Sequence, residues 1–238
     1  MNSTDIPTRP TSGPNHDELP VFPAAAPAVF ADPAATVHLL RPVLDELARI
    51  VDVPDDRLTA PTPCAGYDVA ALRHHTLAWL QFFAAALSDP AGNESRLDPE
   101  AWHLAPGDDP ATIVADAAAD IERAVEAGVA SQLVVMAEAR MPGDAVLAMA
   151  LGEYLVHGWD LAVATDRAWP PATSTPSNAA AAEAALVFLQ TTVQPEYRGP
   201  DSGFFGYEVE APAGASAFER LLCFGGRQPD WTPAAATA

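Results

Sequence analysis

Glu153 and His157 stand four residues apart in Glu153-Tyr154-Leu155-Val156-His157, a strongly helical stretch. On a helix such residues differ by about 40° in azimuth and about 6 Å in rise, so a carboxylate and an imidazole can aim at one point, as metal ligands do. Asp160 follows three residues later on the same side, placed to accept from the distal imidazole nitrogen directly or to act on the site through water. Chance alone supplies Glu-x-x-x-His about 0.3 times in a chain with 6 His and 13 Glu, so the flanks must decide. Leu151, Leu155, Val156, Trp159 and Leu161 are apolar nearly all round the helix, which marks it as buried. A buried glutamate is expensive unless it is paired or ligating. The competing readings of Glu153 are a buried hydrogen bond and simple exposure.

His75 is the third candidate ligand, because it shares an apolar stripe with Leu72 and so points inward. Its alternative is a core histidine bonded to a backbone carbonyl. The adjacent His74 projects about 100° away, toward the surface or a supporting contact behind the ligands. Cys64 and Cys223 are the two cysteines, with no C-x-x-C partner for either, which argues against a disulfide framework and a thiolate zinc site. Any metal must then be held by His and carboxylate. Cys64 lies in the rigid Pro61-Thr62-Pro63-Cys64 loop close to a helix start, where a thiol is either activated or buried as structure. Tyr67, Trp79, Phe82, Phe83, Trp159 and Trp231 either line a pocket or fill the core. Arg227 follows Gly225-Gly226 and offers a forked donor to an anionic substrate, or a surface ion pair.

The elements that must position these residues are mainly helical. Asp32-Pro33 caps a first helix through Val37, Leu40, Leu44 and Leu47 to Ile50 or Val51, and Pro42 inside it predicts a kink or a later start. Asp68 caps a second helix to about Leu87, and a loop over 89–110 leads to a third over about 111–127 that Gly128 ends. Residues 132–136 form a short strand, and Met141-Pro142-Gly143-Asp144 opens a fourth helix to about Ala164. A fifth helix spans about 178–193, strand-like alternation occupies 205–210, and a short helix spans 216–223. This pattern favours a helical bundle over an α/β sheet. The expected organisation is a flexible Pro-rich tail over 1–28, a metal-binding bundle over 29–200 and a C-terminal extension over 201–238 packed on it.

With 12 Lys+Arg, all arginine, against 32 Asp+Glu, the formal net charge of -20 repels phosphate backbones and anionic membranes. No run of about 18 uncharged apolar residues and no basic, apolar leader is visible, so the expected place is the cytoplasm and the expected partner a small molecule. Bundle faces hint at a homodimer.

Three segments together resemble the DinB/YfiT-like superfamily, and within it the actinobacterial proteins similar to mycothiol-dependent maleylpyruvate isomerase. They are the run from Pro61 to His75, the run Glu153-Tyr154-Leu155-Val156-His157-Gly158-Trp159-Asp160, and the ending Gly226-Arg227-Gln228-Pro229-Asp230-Trp231. The resemblance implies a four-helix bundle with a small C-terminal α/β extension and a metal site of His75, Glu153 and His157 completed by water. It further implies a metal-dependent enzyme using a low-molecular-weight thiol, mycothiol, as an S-transferase or isomerase on a small electrophile. Zinc is expected on availability, with nickel and iron suited to the same donors. Two other functions fit such a site: a non-catalytic metal-binding protein, and a metal-dependent hydrolase or natural-product tailoring enzyme.

Overall fold

Asp32, Asp68, Asp109, Thr175 and Ser216 each accept from backbone N–H groups of the first turn that follows them, which starts five of the six helices. The computed structural model describes residues 19–21, 32–93, 97–199 and 205–233. Helix α1 spans Pro33–Ile50, α2 Val69–Ser88, α3 Pro110–Glu126, α4 Gly143–Ala164, α5 Pro176–Thr192 and α6 Ala217–Phe224. Proline in the first turn of α1, α3 and α5 sits where its missing N–H is harmless. Pro42 does not break α1: it and His38, whose carbonyl loses its partner, are both exposed, so water can serve that oxygen.

Helices α1 and α2 each pack against both α3 and α4, which closes a four-helix bundle. Helix α5 lies on the outer side of α4, and α6 packs on α5. Seventeen of the 22 residues of α4 are buried, including Leu147, Leu151, Tyr154, Leu155 and Leu161. This explains why it is the one helix among the described residues long and apolar enough to cross a membrane: it is the central helix of the bundle.

Between α3 and α4 a two-stranded antiparallel hairpin joins β1, Leu133–Met136, to β2, Ala139–Pro142. Met141 and Pro142, expected to open the fourth helix, instead close the hairpin, and α4 begins at Gly143. Gly143 is required there, because a Cβ would stand 2.6 Å from the Val129 carbonyl oxygen and 2.8 Å from Ala130 Cα. The strand expected over 205–210 does not form. Phe205 makes an isolated bridge to Arg198, and Val209 N–H donates to the Cys223 carbonyl beside α6. The C-terminal extension is therefore a short helix with extended chain laid along it. Of the Pro-rich tail, residues 19–21 run parallel beside β2, where Arg140 N–H donates to the Pro20 carbonyl at 2.7 Å and Val21 bridges Arg140. The rest of that tail lies outside the described residues.

Gly158, one residue after His157, faces Trp169 so closely that a Cβ would lie 2.2 Å from two ring carbons. Trp169 is buried, and the atoms met belong to a rigid indole ring. Gly158→Ala is expected to destabilise the protein by about 1–3 kcal/mol through overpacking, outweighing the gain of about 1 kcal/mol in helix propensity. Urea unfolding of the variant beside wild type measures this, and an unchanged midpoint would refute it.

Candidate metal centre

Helix α2 carries His75 and α4 carries Glu153 and His157, and the packing of these two helices brings the three side chains together. His75 Nε2 lies 3.0 Å and His157 Nε2 3.3 Å from the same oxygen, Glu153 Oε1. One donor atom from each residue falls within 4.8 Å of the other two. The imidazole rings stand 5.2 Å apart at 77°, so neither blocks the other from a shared point. Their side chains keep 22%, 24% and 12% of their surface exposed for His75, Glu153 and His157, which leaves an approach from one side.

Each ring is held from behind. Tyr67 packs edge-on to His75 at 5.4 Å, and Trp79, one helical turn along α2, lies 6.0 Å from it. Thr62 ties the preceding loop by donating to the carbonyls of Cys64 and Tyr67. On the other ring, His157 Nδ1 is 3.0 Å from Asp160 Oδ2. A carboxylate only accepts, so this contact puts a ring proton on Nδ1 and leaves Nε2 as the nitrogen that faces Glu153. Asp160 is fully buried, and the same Oδ2 accepts from Arg227 Nη2 at 3.0 Å. Arg227 Nη1 donates to the Gly225 carbonyl at 2.6 Å. Burial opposes the guanidinium's charge, but Asp160, with Cys64 and Glu153 adding to it, outweighs burial and raises the Arg227 pKa.

The residues fit a divalent ion by the chemistry of the donor set: two imidazole nitrogens and one carboxylate oxygen, with one imidazole backed by a carboxylate. Burial by itself would raise the Glu153 pKa, yet the charges of His157 and His75, the His75 hydrogen bond and Arg227 together lower it to about 2. A folded pKa below the ordinary 4.5 means that the carboxylate stabilises the fold above pH 4.5 and that this stability is lost as the pH falls toward 2. Metal-stripped wild type is therefore expected to lose about 3 kcal/mol more than Glu153→Gln between pH 5 and pH 2. Denaturant melts across that range measure the difference, and parallel curves would count against it.

Other residues singled out in the sequence take different places. His74 does not support the ligands: its ring lies 5.3 Å from His103 and 6.0 Å from Trp102, because consecutive helical residues diverge. Arg227 is neither a surface ion pair nor an open anion clamp, since only 7% of it is exposed and Asp160 holds it. Cys64 Sγ comes within 4.8 Å of donor atoms of His157 and Asp160. Burial, then the carboxylates of Asp160 and Glu153, outweigh Arg227 and push its thiol up to about 11, so it is no ready nucleophile. Of the six aromatics, Trp79 and Phe83 line a cleft at the site. Tyr67 braces His75, Phe82 packs on Trp79, Trp159 is buried in the core and Trp231 packs against it.

That cleft, about 450 Å³, has His75, Glu153, His157 and Arg227 in its lining and mostly apolar walls elsewhere, with Thr192 and Tyr197 among them. Phe188, Tyr197 and Phe205 also line it and carry no site signal in the sequence: Phe188 lies on a helix apolar on most sides, Tyr197 in chain without periodicity, and Phe205 at the start of an alternation that points to a strand and not to a cleft.

No significant match is found among curated proteins or among solved structures. The family model of the mycothiol maleylpyruvate isomerase N-terminal domain matches residues 40–162, a stretch that contains His75, Glu153, His157 and Asp160 and stops before Arg227. With more than half of the chain matched, including both helices that bear the converging side chains, the chain belongs to the mycothiol maleylpyruvate isomerase N-terminal domain family.

Proposed function

We propose that this chain is a metal-dependent enzyme that uses a low-molecular-weight thiol, mycothiol in keeping with its family, as an S-transferase or isomerase on a small electrophilic molecule in the cytoplasm. The observation that carries the reading is the convergence of three donors at the end of a cleft large enough for a substrate. His75, Glu153 and His157 would hold the ion, and zinc suits two imidazoles and a carboxylate, as do nickel and iron. When bound, a divalent ion supplies a Lewis acid that lowers the pKa of a coordinated thiol and so provides a nucleophile near neutral pH.

The chain's own residues do the rest. Asp160 fixes the Nδ1 proton of His157, Arg227 balances the charge of Asp160, and Trp79, Phe83 and Phe188 exclude water from the approach. A purely structural ion calls for a closed four-donor shell, whereas the group facing the cleft offers three donors among the described residues. This favours the catalytic reading over the structural one.

The test is elemental analysis of protein purified without chelators, followed by assays of a panel of electrophiles with and without mycothiol. About one ion per chain and thiol-dependent turnover are expected. A fully metallated protein that neither binds mycothiol nor turns over any electrophile with it would end the proposal.

A further inference from the structure

We infer that Thr62 is a positioning residue of the metal centre: its hydroxyl fixes a single loop, and that loop braces both imidazoles. The inference rests on the reading of His75, Glu153 and His157 as the donors of the ion, and it concerns what holds their rings in place.

The loop over 61–68 leads into α2 and closes on itself. Pro61 and Asp68 form an isolated antiparallel bridge, Val69 N–H donates to the Ala60 carbonyl at 3.0 Å, and Tyr67 N–H donates to the Cys64 carbonyl at 3.1 Å. Gly66 turns the chain between them at a φ of +87°, which a side chain would resist. Thr62 is buried inside this loop, and its hydroxyl meets two carbonyls, that of Tyr67 at 2.8 Å and that of Cys64 at 3.1 Å.

Those two residues are the ones the loop sets against the centre. The Tyr67 ring stands edge-on to His75 of α2 at 5.4 Å, and Cys64 Sγ comes within 4.8 Å of donor atoms of His157 and Asp160 of α4. One hydroxyl proton shared by two acceptors therefore ties the support of one ring to the support of the other. The terminal torsion of a histidine is broad, so the direction of its nitrogens is set by what surrounds the ring. His157 has the Asp160 carboxylate for this purpose, at 3.0 Å. Among the described residues the His75 ring hydrogen-bonds Glu153 alone, at 3.0 Å, so its far side depends on packing by Tyr67 and Trp79. Thr62→Val keeps the branched shape and removes only the donor. The Cys64 carbonyl then retains the Tyr67 N–H, while the Tyr67 carbonyl loses the hydroxyl and the ring it carries is free to shift.

The test uses the full-length protein loaded with cobalt(II), whose visible absorption reports the geometry of its donors. Thr62→Val is expected to change that spectrum and to weaken metal binding about tenfold in competition with a chelator, as loss of a supporting contact does. Thr62→Ser, which restores the hydroxyl, should return both to wild type. Thr165→Val is the matched control: its buried hydroxyl also meets two carbonyls, those of Leu161 and Ala162, but at the end of α4, so its loss should lower stability and leave the spectrum unchanged. Should Thr62→Val fail to fold, Tyr67→Leu interrupts the same brace and should give the same spectral change. A Thr62→Val protein, or in its place Tyr67→Leu, that folds and keeps the wild-type spectrum and affinity would overturn the inference, as would a serine variant that restores neither or a Thr165 variant that changes both. Imidazole ring NMR of the metal-free protein separates this from the metal reading. Should wild type bind no ion, while Thr62→Val shifts the His75 and His157 resonances, leaves exposed His38 in place and is reversed by serine, the metal reading falls and the brace stands.

Discussion

His157→Ala is expected to lower the bound metal from about one ion per chain to less than about a tenth after dialysis, with affinity weakened on the order of a thousandfold. Zinc held by small protein sites is worth about 10–16 kcal/mol, and losing one of three protein donors removes roughly 4 kcal/mol of that, which is three decades in Kd. The fold should survive: Asp160 keeps Arg227 as its partner, and the imidazole is not part of the apolar core. His75→Ala should behave in the same way, whereas His74→Ala, one residue along the same helix, should leave metal binding unchanged, because His74 faces Trp102 and His103. Competition against a chromophoric chelator reads the affinity and circular dichroism reads the helices. Equal metal affinity in the His75 and His74 variants would remove the basis for the centre.

Asp160→Asn carries the second large effect, on stability and on metal affinity together. Asp160 is fully buried and one of its oxygens accepts from both His157 Nδ1 and Arg227 Nη2. Its amide is nearly isosteric but uncharged, so Arg227 remains buried without a counter-ion, a loss of about 3–5 kcal/mol. The proton on His157 Nδ1 also loses its carboxylate, and such backing groups are worth about 10–100-fold in metal affinity. A double-mutant cycle separates the two parts. Asp160→Asn combined with Arg227→Met should be less destabilised than Asp160→Asn alone, since the stranded charge is gone, while metal affinity stays low. Denaturation with chelator present gives the stability and metal titration gives the affinity. If Asp160→Asn alters neither by more than about 1 kcal/mol, the Arg227–Asp160–His157 chain of contacts has no energetic meaning.

Local signals are legible where a helix begins and where one face is apolar. Asp68 before Val69 caps α2 by its side chain, and the all-round apolar flanks of Glu153 mark the central position of α4. Both depend on residues within a few positions of each other. The hairpin was half legible: Leu133–Met136 has β-branched residues, whereas Ala139-Arg140-Met141-Pro142 has none and becomes a strand by pairing with β1. The alternation at 205–210 points the opposite way, because among the described residues it finds only the single Arg198–Phe205 bridge and no ladder. Local pattern proposes a strand, and the partner decides it.

The sequence by itself determined that Glu153, His157 and Asp160 share one helical face, because i, i+4 and i+7 positions align on any α-helix whatever surrounds it. It also determined that His75 and His74 diverge. Only the tertiary structure decided that α2 and α4 pack side by side, so that donors 78 residues apart meet at 3.0 Å, and that Arg227, 67 residues beyond Asp160, returns beneath the site to neutralise it. The physical reason is the range of the forces: backbone geometry and capping act across one or two turns and are written in adjacent residues. Burial and charge pairing act across the interior, between residues whose separation along the chain says nothing about their distance in space.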